Sequence, residues 1–469
     1  MNFRRVVFIT IFALLSTGWS FAQELGNPLF IPPLLKDQNP KSNEASFQLK
    51  VQEGETQFFR GITNPTLGYN GNLLGPTIRI KKNQRVRIDV ENLLNEYTTT
   101  HWHGLLVPGY ADGGPHQVIN PDSKWSAEFT VRQPAATAWY HPHGLGNTAT
   151  QVYFGLAGMI IIDDENSESL NIPKVYGEND FPLIVQDRRF SRGGRLAYNT
   201  SMNDQMAGMT GNTIIVNGVV NSFLKVDQEK IRFRILNGSN ARLFNFKLSN
   251  GRSFFQIASD GGFLEAPLKM RKLKLSPGER AEIIVDFSEY KKGSKIRLES
   301  GNFEIIKFIV GGASKQLASP LPKKLATIED IPKKQVSEFR DFVLSGMGHM
   351  VSINGLQYNP NRINERVDFR ATEIWEVTSN TNMMGGMMMG SSNSDIYHNF
   401  HIHAVQFQIL SRDGKKPPKN ERGWKDTFVM EENERVRIIM RFLHKGVFMY
   451  HCHILEHEDN GMMGQFRVQ

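Results

Sequence analysis

Gly446-Val-Phe-Met-Tyr-His-Cys-His-Ile-Leu455, near the C-terminus, has the Val, Phe, Met, Tyr and Ile content of a β-strand. Side chains alternate between faces along a strand, so His451 and His453 point one way and Cys452 the other. One short segment can therefore feed two metal sites. His457 and Met462 follow five and ten residues after the cysteine and can loop back to it. With one more imidazole they complete the two-histidine, cysteine and axial-methionine set of a blue-copper electron-transfer centre. Cys452 is the only cysteine in 469 residues, which excludes an internal disulfide.

Strand patterns of the same kind recur outward from this segment. Arg85-Val-Arg-Ile-Asp-Val, Ile231-Arg-Phe-Arg-Ile-Leu, Ala281-Glu-Ile-Ile-Val-Asp and Arg435-Val-Arg-Ile-Ile-Met alternate or run apolar between Gly, Pro and Asn turns. Forty-one glycines and 21 prolines suit sandwiches or barrels better than helices. Two breaker-rich, polar stretches, Asp163 to Gly177 and Ser314 to Arg340, read as linkers. They divide the chain into units at 23–165, 166–330 and 331–469, each the size of a Greek-key β-sandwich. A loose echo accompanies the division: Asn-Gly before a strand at Asn217-Gly218 and Asn354-Gly355, with Pro76-Thr-Ile-Arg-Ile-Lys in the comparable place of the first unit.

Composition narrows the function class. The chain is 40% hydrophobic and 22% charged, with a formal net charge of +8, as in an ordinary globular protein. Its lysines are scattered through loops such as Lys323-Lys324 and Lys415-Lys416, with no basic block or stripe, which argues against a nucleic-acid partner. Residues 1–22 read as a signal peptide: Arg4 and Arg5, an apolar core from Val6 to Leu15, and Ser20-Phe21-Ala22 before a cleavage point. The apolar core is too short to span a bilayer, and no later stretch is long and apolar enough, so no stable membrane insertion is expected. Twin-arginine and general export both remain open, because Val6-Val7 lack the fuller twin-arginine signal. A periplasmic protein is expected, in which a lone cysteine is metal-bound, buried or reactive.

Histidine placement carries most of the information. Eight of the 13 histidines form four His-x-His pairs: His101/His103, His141/His143, His401/His403 and His451/His453. Random placement would give roughly 0.4 of such a pair. Each pair sits in or beside a strand pattern, so its imidazoles share a face, and neutral imidazole is a good copper ligand. Gly144 to Gly348 contains neither histidine nor cysteine. The site is therefore expected at the interface of the first and third units, with the middle unit a spacer.

His101-Trp-His-Gly, His141-Pro-His-Gly, His398-Asn-Phe-His-Ile-His and His451-Cys-His-Ile-Leu-Glu-His-Glu-Asp-Asn-Gly-Met resemble, in order and spacing, the four copper-binding motifs of the multicopper oxidases. The resemblance covers essentially the whole chain after the signal region. It implies an all-β protein of three cupredoxin domains that reduces dioxygen with electrons from a small reductant, using four copper ions. One type 1 copper would lie on His398, Cys452, His457 and Met462. A type 2 copper would lie on His101 and His401, and a type 3 pair on His103, His141, His143, His403, His451 and His453. Asp112, in Ala111-Asp-Gly-Gly-Pro, and Glu458 match the acidic residues that assist oxygen reduction in the family, where a carboxylate can relay protons. His116, His349 and His444 match no ligand position.

The reductant is the harder question. Methionines cluster at Met202, Met206 and Met209, at Met347 and Met350, and at Met383, Met384, Met387, Met388 and Met389, nine residues before His398. Thioethers are soft ligands that favour Cu(I). The methionine-rich insertions resemble those of bacterial cuprous oxidases of copper homeostasis. There the type 1 histidine is preceded by acidic and methionine residues, and of these only Asp395 is present here. Cu(I) oxidation is the leading expectation; a laccase-like oxidase of phenols and aromatic amines, a copper-sequestering protein and a copper-free scaffold of the same fold are the alternatives. A monomer is expected.

Overall fold

The computed structural model describes residues 26–39, 41, 43–198, 201–313, 320–380 and 397–469. The expected signal peptide lies outside them, as do Met383, Met384, Met387, Met388, Met389 and Asp395.

Six sheets build three sandwiches. The first packs a four-stranded sheet around Glu44–Phe59 and Arg85–Asn92 on a second sheet that includes His101–His103, Ala136–His141 and Gly158–Asp163. The second packs a seven-stranded sheet on a six-stranded one, and the third packs five strands on five. Alternation explains the strands: in Arg85–Asn92 the side chains of Val86, Ile88 and Val90 are buried while Arg85 and Arg87 face water. Each sandwich has its own core. Phe47, Ile88 and Ile160 meet in the first, Phe233, Ile283 and Phe308 in the second, and Trp375, Phe400, Ile438, Cys452 and Met462 in the third. Full burial of one such large side chain is worth about 1.5–3 kcal/mol.

The internal repeat is real, and its place in the first unit differs from the expectation. Asn217 and Asn354 take left-handed φ of 51° and 53° in Asn-Gly turns. The Asn217 Oδ1 accepts from Ile184 N and its Nδ2 donates to Pro182 O. Asn354 does the same to Val343 N and Asp341 O. In the first sandwich the equivalent is Asn70, before Gly71, which accepts from Lys50 N and donates to Gln48 O; Pro76 has no amide to join such a pattern. In all three units the strand receiving this asparagine pairs in parallel with the next major strand: Glu44–Phe59 with Arg85–Asn92, Asp180–Arg188 with Lys230–Asn237, and Val336–Ser345 with Thr372–Asn380.

Both expected linkers contain regular structure. The first holds a helix, Glu165–Ser169, closed by a reciprocal capping box between Asp164 and Ser167. The second ends inside the strand Val336–Ser345. Asn27–Pro28, expected in the first unit, pairs with Ser222–Gln228 of the middle sandwich. The strand Gly446–His451 stops at His451, and a short helix, Leu455–Asp459, follows it. Among the described residues no helix is long and apolar enough to cross a membrane.

Candidate metal centres

Strand register assembles the histidines before any tertiary contact does. His101 stands opposite His141 in the first sandwich, and His401 stands opposite His451 in the third. The two sandwiches then face each other. The His101 ring stacks on His403 at 3.8 Å between centroids, and His103 stacks on His401 at 3.7 Å. All eight imidazoles are buried. They form one cluster at the seam of the first and third units, where the sequence places it.

The hydrogen bonds identify which nitrogen each ring turns inward. A carbonyl or carboxylate oxygen can only accept, so the nitrogen beside it carries the proton and the other keeps a lone pair. His101 Nδ1 lies 2.9 Å from Asp112 O, His141 Nδ1 2.7 Å from Pro142 O, and His401 Nδ1 2.9 Å from Asp426 O. The Nε2 atoms of these three rings have no partner. His403 Nδ1 donates to Asp112 Oδ2 at 2.8 Å, and His451 Nδ1 to Cys452 O at 3.0 Å. His143 Nδ1 faces Glu458 Oε1 at 3.3 Å. Their Nε2 atoms crowd together, with His451 Nε2 3.1 Å from His143 and 3.2 Å from His403. His103 is reversed: its Nε2 lies 3.2 Å from Asp426 Oδ1 and its Nδ1 is the unpartnered atom. Both nitrogens of His453 lack partners.

Burial disfavours the charged form of the imidazole: it holds His101 down at about 3 and His103, His141, His143, His401, His403 and His453 well below their ordinary value. Buried lone pairs without donors are costly. A group of neutral imidazoles aiming such lone pairs into a shared space is the donor set of a copper site, so these residues fit copper.

A second, smaller group lies on the other side of the His451-Cys452-His453 segment. Cys452 Sγ is 3.8 Å from His398 Nδ1 and 3.9 Å from His457 Nδ1. His457 Nε2 donates to Met206 O at 3.0 Å, which leaves Nδ1 bare toward the sulfur. Met462 is fully buried in the same core, and its carbonyl accepts from Cys452 N at 3.1 Å. Burial pushes the Cys452 thiol up to about 12, so it loses its proton only to a bound cation. The two-faced arrangement survives although Cys452 and His453 lie beyond the strand end, because Asn399 holds the turn: its Oδ1 accepts from His453 N at 2.7 Å.

The two expected carboxylates are in place. Asp112 bonds His403 and, through its carbonyl, His101. Burial pushes its carboxyl well above the usual range. Glu458 lies between His143 and His451, with Oε2 3.2 Å from His451 Nδ1. Burial raises it, but the facing imidazoles hold it below the usual value. His116 bonds Gln465 at 2.7 Å, and His349 is exposed; neither joins a cluster.

The spacer expectation needs correction. The middle sandwich supplies no histidine, yet its Ser276–Arg280 turn touches both sites. A Cβ on Gly278, at φ +83°, would lie 3.0 Å from His453 Cδ2 and 3.1 Å from His103 Cε1. Asn399 donates to Pro277 O at 2.9 Å. Arg280 grips Asp426 with Nη1 at 2.7 Å and Nη2 at 2.6 Å. Arg280, Asp426, Thr427 and Asn399 carried no local sequence signal, since their partners lie in distant segments.

Three family models, each described as multicopper oxidase, match residues 50–167, 179–295 and 321–469. A multicopper oxidase of Staphylococcus haemolyticus is 43% identical over 442 residues, covering 94% of this chain and 92% of that protein. The cell division protein FtsP of Dickeya dadantii is 34% identical, covering 94% and 93%. Among solved structures, a multi-copper oxidase from Pediococcus acidilactici superposes with a TM-score of 0.88 at 40% identity, covering 95% of this chain and 92% of that one. The laccase-like multi-copper oxidase CueO from Ochrobactrum sp., with oxidase activity towards lignin model compounds, gives 0.85 at 36% identity, covering 94% and 100%. A metallo-oxidase from Campylobacter jejuni gives 0.81 at 28% identity, covering 94% and 95%.

Proposed function

The chain belongs to the multicopper oxidase family and is an oxidoreductase of cupredoxin-like sandwiches that uses dioxygen; from that premise we propose that Cu(I) is its reductant, oxidised in the service of copper tolerance. The observation that carries this reading is the cover over His457. The helix Met202–Ala207 of the middle sandwich and the turn Gly348–Met350 of the third meet above it, so close that a Cβ on Gly348 would lie 2.7 Å from Met206 Sδ. Met206 and Met347 are half-buried there, and Met202 and Met350 are 71% and 52% exposed. Soft thioethers at the surface, one of them joined through its own backbone carbonyl to His457, suit a soft monovalent cation as substrate. Met383, Met384, Met387, Met388, Met389 and Asp395 are further candidate Cu(I) ligands in this proposal.

In this reading His398, Cys452, His457 and Met462 hold type 1 copper. His101 and His401 hold type 2 copper. His103, His141 and His453 hold one type 3 copper, and His143, His403 and His451 the other. Bound copper supplies one-electron exchange at Cys452 and four-electron reduction of dioxygen to water at the histidine cluster. Four Cu(I) ions, one dioxygen and four protons give four Cu(II) ions and two waters. Cys452 joins the two sites covalently through a single residue on each side. Asp112 Oδ2, beside His403, and the Glu458 oxygens, beside His143 and His451, hold and pass the protons that water formation consumes. Units divided near 165 and 330, a periplasmic location and a monomeric state complete the proposal.

A second reading, oxidation of phenols and aromatic amines, is favoured by the likeness to the Ochrobactrum enzyme. A scaffold role, suggested by the likeness to FtsP, leaves twelve buried candidate ligand side chains without a purpose. Oxygen uptake by the copper-loaded chain with Cu(I), and in parallel with 2,6-dimethoxyphenol, separates these readings. Cu(I) turnover far above phenol turnover is the expected result. Fast phenol turnover with Cu(I) no better makes the protein laccase-like, and no uptake with either donor makes it a sequestering or scaffold protein.

A further inference from the structure

We propose that Arg280, from the sandwich that contributes no candidate ligand, is the positioning residue that sets the inward nitrogen of His103. The argument starts from the guanidinium. Arg280 is 1% exposed, and its side-chain hydrogen bonds all end on oxygen acceptors. Nε donates to Thr137 O of the first sandwich at 3.0 Å, Nη1 to Gly278 O at 3.0 Å, and Nη2 to Asp260 O at 3.2 Å. The remaining donors form the two-pronged contact with Asp426 of the third sandwich, at 2.7 and 2.6 Å. One side chain thereby ties all three sandwiches together at the edge of the cluster.

The fork fixes Asp426 in place, and Asp426 passes the constraint on. Its Oδ1 accepts from Thr427 Oγ1 at 2.8 Å and faces His103 Nε2 at 3.2 Å. Because that oxygen only accepts, Nε2 carries the proton and Nδ1 is left bare toward the cluster. Such outer partners of metal-binding histidines fix tautomer and ring orientation. His103, His401 and Asp426 lie close enough together to suggest a further cation site. The guanidinium against the same carboxylate argues against that, since it already supplies the positive charge. The role is positioning, and it makes docking of the middle sandwich a condition for an intact cluster.

The inference rests on the copper reading of the cluster. Its test uses the copper-loaded full chain and the variants Arg280→Lys, which keeps the charge and loses the fork, and Asp426→Asn, which is isosteric. An asparagine has one oxygen and one amino group, so it opposes a donor to either Arg280 or His103, and the second case drives the proton of His103 onto Nδ1. Copper per chain is followed under graded chelation, with the blue absorption reporting the Cys452 site and electron paramagnetic resonance reporting the cluster; melting of the metal-free chains is the control. Cluster copper is expected to leave at roughly 10- to 100-fold lower chelator concentration than in the wild type, with the blue band and the metal-free melting temperature unchanged. If Arg280→Lys does not fold, Asp426→Asn decides alone. Wild-type resistance in the variants overturns the inference, as does loss from both sites in step with a lower metal-free melting temperature. A wild-type chain that binds no copper at the cluster overturns the copper reading as well.

Discussion

Asn399 Oδ1 lies 3.5 Å from Cys452 Sγ, and the same oxygen accepts from His453 N at 2.7 Å. A side chain one residue after His398 therefore holds the bridge between the two candidate sites, while its Nδ2 is anchored on Pro277 O of another sandwich. Asn399→Leu keeps the volume and strands the His453 amide and the Pro277 carbonyl in a buried place. Each such orphan costs about 1–3 kcal/mol, so unfolding in urea should show a loss of at least that size in the metal-free chain. A midpoint equal to the wild type would mean that Asn399 is not structural.

Cys452→Ser removes the thiol sulfur that faces both His398 and His457. Blue colour and turnover are expected to vanish together. The Cys452 sulfur faces His398, Asn399 and His457, none of them in the eight-imidazole cluster, and copper bound at the cluster should persist in resonance spectra and metal analysis. Full oxygen uptake in this variant would refute the through-residue route.

Glu458→Gln keeps the shape of the group between His143 and His451 and removes its ability to carry a proton. Proton transfer by a placed side chain contributes typically 10²–10⁴-fold. Maximal turnover should fall within that range while bound copper and the Cu(I) concentration at half-saturation stay near wild type. Asp112→Asn should act in the same direction from its place beside His403. Unchanged turnover in both would leave the carboxylates as ring-orienting groups only.

Ligand residues were legible because their information is local: a His-x-His pair on a strand presents two imidazoles to one face whatever the tertiary fold. The repeat was half legible. Asn217 and Asn354 announce their turns, whereas the first unit places the equivalent at Asn70 and not at Pro76, whose side chain can neither donate nor accept. What remained hidden is cross-chain. Arg280 and Asp426 lie 146 residues apart, and neither carries a motif. The reversal of His103 could not be read from His101-Trp-His-Gly either, because it is set by Asp426, 323 residues away. The same holds for Met206, which lies 251 residues from the imidazole it caps.

Met206 permits a sharper test of the reductant than loss of activity does. Its carbonyl, not its thioether, accepts from His457 Nε2, so Met206→Leu leaves that hydrogen bond and most of the local volume in place. Only the soft sulfur is lost. If the thioether recruits Cu(I), the concentration of Cu(I) at half-saturation should rise about tenfold, equivalent to ~1.4 kcal/mol of binding. The value for 2,6-dimethoxyphenol should stay within about twofold, because a phenol gains nothing specific from sulfur. Combining the change with Met350→Leu, on the facing turn, should widen the gap further. Equal rises for both donors would instead mark Met206 as a lid that any reductant must pass, and the preference for Cu(I) would then have to reside elsewhere in the chain.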